Sequence, residues 1–152
     1  MIKVSIEYEG GLRCKATHGP SGVTLQTDAP VDNHGKGEQF SPSDLVATAL
    51  GSCIATVLGI VAERKGWDLK GLRVEVSKDM SQGAPRRIAR LFTEVWPPLS
   101  LSPADRDLAE RTARTCPVHS SLHPEIDAPI VFHWNDVEAV SGRQEHRQGT
   151  GP

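Results

Sequence analysis

Residues 41–66 carry the feature that most constrains this chain: a long apolar segment with a helix start and a helix stop written into it. Ser41 stands as the N-cap, and Pro42 takes the first helical position, where a missing N–H costs no bond. Asp44 falls three residues after the cap, as the partner of a capping box. Apolar residues at 46, 49, 50, 53, 54, 57, 58, 60 and 61 keep helical spacing to about Gly66. That arc is broad, so the spacing predicts a helix covered on most sides, as at the centre of a fold. Thr48, Gly51, Ser52, Thr56 and Gly59 interrupt the apolar run, and Glu63, Arg64 and Lys65 follow at once, which argues for a core helix rather than a membrane span. Gly51 costs a helix about 1 kcal/mol against alanine. Together with Ser52 and Gly59, it predicts close approach by a neighbouring element.

On either side the pattern changes period. Val4, Ile6 and Tyr8 share one face, Gly10-Gly11 supplies a turn, Leu12 to Ala16 alternates, and Gly19-Pro20-Ser21-Gly22 precedes Val23 to Thr27. This predicts a three-stranded antiparallel meander over residues 1–31, followed by a polar, glycine-rich surface loop over 32–39. Beyond the helix, Leu72 to Ser77 and Arg87 to Trp96 read as strands, the second with Ile88, Leu91 and Val95 inward and Phe92 out of step. Ser102-Pro103-Ala104-Asp105 repeats the cap logic for a helix to about Arg114. A short helix follows from Pro117, and a last strand covers Pro129 to Trp134. The order β-β-β-α-β-β-α-α-β predicts an α+β domain. At 152 residues one domain is expected, over 1–136, with a polar and disordered tail over 137–152.

Seventeen basic and 19 acidic residues leave a net charge of −2, so no basic field points to nucleic acid. The N-terminus alternates like a strand and not like a signal peptide. Three cysteines without an export signal predict a reducing, cytoplasmic setting, where thiols are free, catalytic or metal-bound. Cys53 lies on the apolar helix, where a thiol is most often a small buried hydrophobe. Cys116 precedes Pro117 at a helix start, where free N–H groups and the dipole favour thiolate. If the fold brings them together, the two form a redox couple. Cys14, between Arg13 and Lys15 on a strand, reads as structural. Cys116, His119 and His123 share helical spacings of three and four, which leaves zinc ligation as an alternative, although no fourth ligand lies close in sequence. No P-loop, GxGxxG or GxSxG element is present, and no cofactor is expected.

The run Phe40-Ser41-Pro42-Ser43-Asp44-Leu45-Val46-Ala47-Thr48-Ala49-Leu50-Gly51-Ser52-Cys53, paired with Cys116-Pro117-Val118-His119-Ser120-Ser121-Leu122, resembles the OsmC/Ohr family of thiol peroxidases. The predicted element order matches as well, over residues 1 to 136. The resemblance implies an OsmC-like fold, with antiparallel β-sheets around a long central helix, in an intertwined homodimer whose active sites lie at the subunit interface. It implies reduction of organic hydroperoxides by a peroxidatic Cys53, resolution of its sulfenic acid by Cys116, and reduction of the disulfide by dithiols such as lipoyl groups. A thiolate that becomes a sulfenic acid and condenses with a nearby thiol is the matching chemistry. Ala49, Leu50 and Val57 would wall the site for an alkyl hydroperoxide.

The family pattern is not complete. Ohr-like and OsmC-proper members carry a glutamate ten residues before the peroxidatic cysteine, and here that position is Ser43. Glu38, in the preceding loop, is the carboxylate that stands in. Arg13 is the only arginine of the N-terminal meander but matches the family's arginine loosely, and the better-aligned position is Gly10. These departures place the chain nearer a divergent OsmC-like branch than a core Ohr enzyme, and they bear on peroxidase rate rather than fold. They also keep open a non-catalytic reading, a module that binds a small apolar ligand or senses redox state.

Overall fold

The helix announced by Ser41 forms as α1, Pro42–Lys65, with both ends closed as the sequence specifies. A computed structural model of the protein describes residues 1–134, so the predicted tail lies outside the described residues. The Ser41 hydroxyl accepts from the Asp44 N–H at 3.1 Å, and the Asp44 carboxylate accepts from the Ser41 N–H at 2.8 Å. Gly66 ends the helix at φ 71° with its N–H on the Ala62 carbonyl, a left-handed conformation that glycine adopts without a Cβ clash.

Two small sheets and two further helices complete an α+β fold. Strands β1 (Val4–Gly10), β2 (Arg13–His18) and β3 (Thr24–Asp28) form the antiparallel meander in that order. Strands β4 (Arg73–Met80), β5 (Ile88–Trp96) and β6 (Ile130–Phe132) form the second sheet, also in chain order, and helices α2 (Pro103–Arg114) and α3 (Pro117–Ser120) lie between β5 and β6. In one respect the second sheet differs from the antiparallel expectation: β6 runs parallel to β5, with Thr93 opposite Ile130 and Val95 opposite Phe132. A parallel return needs a long crossover, and the two helices supply it.

The core forms where one side of α1 meets the second sheet and α2. Leu50, Ile54 and Leu58 of α1 bury against Leu91 and Val95 of β5, Ala109 and Ala113 of α2, Cys116 and Ile130. Thr93 takes the inward position between Leu91 and Val95, while Phe92 stays outside beneath the Arg90 guanidinium, 5.2 Å from its ring centre. A bulge opposite Asp79 and Met80 reverses the phase of β5, which lets Ile88 reach the same core. Gly51 supplies the predicted close approach: a Cβ there would stand 3.1 Å from the Val76 side chain. Gly59 faces open space in this chain.

Two surfaces remain uncovered. The expectation that α1 is enclosed on most sides holds for one side only, because Ala49, Ser52, Thr56 and Ile60 are exposed. By length and composition alone α1 is able to cross a membrane, but its buried side is the centre of the core. The first sheet makes no extensive contact with any helix or with the second sheet among the described residues. Its apolar side chains are correspondingly bare, with Val4, Ile6 and Tyr8 51%, 65% and 63% exposed.

Candidate active site

The chain ends α2 at Thr115 and restarts a helix at Pro117, which leaves Cys116 extended as the N-cap of α3. There its sulfur accepts the His119 N–H at 3.3 Å and is fully buried. Cys53, half-buried on α1, packs against the same core and is near enough to act on the Cys116 thiol. The fold therefore brings together two cysteines far apart in sequence. Burial, first, pushes the Cys116 thiol above its ordinary range, against the His119 N–H, and the neighbouring Cys53 thiol pushes it further. This corrects the expectation of a thiolate at Cys116. Helix α3 is a single turn with few aligned dipoles, and complete desolvation outweighs it.

Arg13 and Glu38 meet in a second cluster, around a residue the sequence did not mark. Arg13 opens β2 and stands directly across from Asp28, the last residue of β3. Its Nη2 donates to Asp28 Oδ2 at 3.3 Å and also to Glu38. Asp28 is fully buried, and the same Oδ2 accepts the Glu38 N–H at 3.1 Å. That backbone hydrogen bond, joined by the Arg13 pairing, overcomes desolvation and holds the Asp28 carboxyl below the usual range. Glu38 and then Asp28 likewise hold the guanidinium above its own. Among the described residues no hydrogen bond or ion pair joins this cluster to the two thiols.

Position 43 has gained a different polar arrangement. Lys78 of β4, its side chain only 16% exposed, donates to Ser43 Oγ at 2.7 Å and to Asp44 Oδ1 at 2.6 Å. Burial works to raise the Asp44 carboxyl, but the hydrogen bonds from Lys78 and Ser41 prevail and hold it low. Asp44 is thus fully engaged by the cap and by Lys78. One signal for this contact was present in the sequence: Val74, Val76 and Lys78 alternate on one face of β4, so the lysine continues an inward row. For Asp28 the only cue was its place opposite Arg13 in the meander, which cannot be read without the register.

A cavity of about 530 Å³ lies beside these residues, between α1 and β4, and neither thiol lines it. Phe40, Ala47, Gly51, Val74 and Val76 line it together with the polar side chains of Asp44, Thr48, Ser52 and Lys78. Of the expected apolar wall near Cys53, Leu50 is instead fully buried in the core, while Ala49 is exposed and Val57 half-buried. Cys14 sits half-buried in the meander, paired in register with Tyr8 and Thr27. The residues of the zinc alternative do not converge: His119 Nε2 lies 3.1 Å from the Ala128 carbonyl, and His123 Nδ1 accepts from the Glu125 N–H at 3.2 Å. Among the described residues no group of His, Cys, Asp and Glu is arranged to hold a metal.

Comparison with known proteins gives the fold a context. Residues 35–130 match the family model described as OsmC-like protein. A crystal structure from Psychrobacter arcticus 273-4, of a protein provisionally described as an osmotic stress induced and detoxification response protein, is 41% identical and superposes with a TM-score of 0.83, covering 88% of this chain and 96% of that one. An organic hydroperoxide resistance protein OsmC from Legionella pneumophila shares the fold at 13% identity and a TM-score of 0.70, covering 87% and 96% of the two chains. The organic hydroperoxide resistance protein OhrB of Bacillus subtilis does so at 15% identity and 0.64, covering 88% and 98%. Among curated proteins none matches.

Proposed function

The chain belongs to the OsmC-like protein family, and from that premise we propose that it is a thiol-dependent peroxidase that reduces organic hydroperoxides through Cys53 and Cys116. The observation that carries this reading is the adjacency of two free thiols with unequal environments, one half-buried on α1 and one fully buried at the start of α3. Cys116, kept as a thiol by burial, is the poorer first nucleophile, which leaves the attack to Cys53.

The reaction runs in three balanced steps. The Cys53 thiolate attacks one peroxide oxygen, so that an S–O bond forms, the O–O bond breaks, and the alkoxide leaves as an alcohol after taking a proton. Cys53 is then a sulfenic acid. The Cys116 sulfur attacks the Cys53 sulfur, the S–O bond breaks, hydroxide departs as water with the Cys116 proton, and a disulfide remains. A dithiol, of which a lipoyl group is one example, reduces it by two thiol–disulfide exchanges and is itself oxidised to a cyclic disulfide. Arg13, gripped by Glu38 and Asp28, is the cation assigned to the thiolate and the departing oxygen.

A homodimer is part of the proposal. The bare apolar row Val4, Ile6 and Tyr8 and the exposed stripe of α1 are surfaces that a second copy would cover, and an interface there would bring the Arg13 cluster of one copy towards the thiols of another. Reducing conditions of the kind found in cytoplasm suit a cycle that ends in free thiols.

Hydroperoxide consumption with a dithiol reductant, compared between the wild type and Cys53→Ser, is the test. Activity is expected to vanish in the variant; equal rates would sink the reading. The cavity between α1 and β4 supports a second reading, a module that binds a small apolar ligand without turnover. Stabilisation by such a ligand in a protein that consumes no hydroperoxide would favour it.

A further inference from the structure

Asp28 is a buried carboxylate that takes no direct part in the steps above, and it is the node of the Arg13 cluster. Its single atom Oδ2 takes both the Arg13 Nη2–H at 3.3 Å and the Glu38 N–H at 3.1 Å, so one oxygen ties the strand that carries the arginine to the loop that carries the second carboxylate. The loop is shaped for this return. A Cβ on Gly35 would stand 1.7 Å from the Ala29 carbonyl oxygen, and Gly37 is left-handed at φ 65° with the Val31 side chain 2.9 Å from where its Cβ would be. The Asp28 N–H donates to the Phe40 carbonyl at 3.1 Å and closes the turn just ahead of α1.

This grip is one-sided. Both carboxylates hold Nη2, while Nη1 donates to no group among the described residues, and the side chain stays 25% exposed. Asp28 Oδ1 and Arg13 Nε are buried without a hydrogen-bond partner. A link that served stability alone would be expected to satisfy these atoms or to be apolar, since buried ion pairs rarely outperform well-packed hydrophobic side chains. Fixing one end of a guanidinium and leaving the other free is what presenting a cation to a reacting group requires.

We propose that Asp28 is a positioning residue, which orients Arg13 so that its free Nη1 edge faces the thiol site, and which acts on the reaction only through Arg13. The proposal deepens the peroxidase reading and rests on its assignment of Arg13 to the Cys53 thiolate. Asp28→Asn keeps the shape and the oxygen while removing the charge.

Two readouts separate this proposal from the reading beneath it. The first is kcat/KM for an alkyl hydroperoxide with a dithiol, in Asp28→Asn, Arg13→Lys and the double variant, each shown to be folded by circular dichroism. The single variants are expected to lose about ten- to a hundredfold, the scale on which misplaced catalytic groups cost rate, and the double variant no more than the worse of the two. Losses that multiply in the double variant would overturn the proposal and leave the peroxidase intact. The second is the pH profile of Cys53 alkylation by iodoacetamide, which needs no turnover. Asp28→Asn and Arg13→Lys are expected to move the profile the same way, towards higher pH. A wild type that consumes no hydroperoxide, with both variants still showing this shift, would remove the peroxidase and keep the positioning role. An Asp28→Asn profile equal to wild type would overturn that role. If Asp28→Asn does not fold, Arg13→Lys alone decides, because a profile equal to wild type leaves Asp28 nothing to act through.

Discussion

Oxidation of the two neighbouring thiols gives a prediction whose size follows from the fold. Cys53 and Cys116 are adjacent, yet a bridge between them would close a loop of about 64 residues, which in the chain-entropy account is worth about 4 kcal/mol against the unfolded chain. That loop holds the second half of α1, the β4–β5 hairpin and all of α2, so it spans most of the core. The two thiols already pack against one core cluster, so the bridge would join neighbouring parts of the fold. For a chain of this size 4 kcal/mol corresponds to a rise in Tm of roughly 8–16 °C. The assay is thermal unfolding by circular dichroism of protein treated with one equivalent of alkyl hydroperoxide and of protein kept in dithiothreitol. Protein concentration must be equal in both, since any dimer makes Tm depend on it. All three cysteines are free in the reduced chain, so thiol titration should fall from three to one, the survivor being Cys14. Melting curves within about 2 °C of each other, half a kcal/mol or so on the same scale, would refute the reasoning, as would a mapped bridge that includes Cys14.

Other consequences concern single groups. Because Cys116 is fully buried and its thiol is pushed above the ordinary value of 9.0, it should resist iodoacetamide in the native protein while Cys53 reacts. The neutral folded form also contributes stability that is complete below the unfolded value and is lost as pH rises past 9 through the folded one, so the alkaline decline in urea stability should lessen in Cys116→Ala. Asp44 is held low, so its contribution is present above its ordinary value of 3.8 and disappears as pH falls through the folded value; Lys78→Met should flatten the acid limb of the stability profile below pH 4, and an unchanged limb would refute the Lys78 contact. Ser41→Ala removes one half of the capping box at a buried position and should cost about 1–2 kcal/mol in urea unfolding.

Local chemistry was legible in the sequence wherever neighbours along the chain decide the outcome. Ser41, Pro42 and Asp44 define the start of α1 and Gly66 its end because caps are satisfied by residues within one turn. The meander, the two later strands and the cap at Ser102 follow from the same short-range rules. The family model that matches residues 35–130 agrees with the family that the two cysteine motifs suggested. Less legible was anything set by register across a gap. The parallel pairing of β6, the bulge that returns Ile88 to the core, and the contact of Lys78 with Ser43 each depend on where a distant strand comes to rest.

Cys116 shows the boundary most plainly. Its place as an N-cap before Pro117 is a property of the sequence, and so is the direction of the dipole it meets. Whether that cysteine is a thiolate or a thiol is decided by burial, which is a sum over α1, α2 and the second sheet and has no local signature. Asp28 is the same case with the opposite result: a carboxylate that is fully enclosed yet held ionised, because the following loop returns the Glu38 N–H from 10 residues on and a strand supplies a guanidinium. By itself the chain determined its elements, their caps and its pair of cysteines, since hydrogen bonding and side-chain periodicity act over a few residues. Only the tertiary structure decided which thiol stays protonated, which carboxylate holds Arg13 and which faces stay bare, since desolvation and charge pairing are fixed by residues that meet in space.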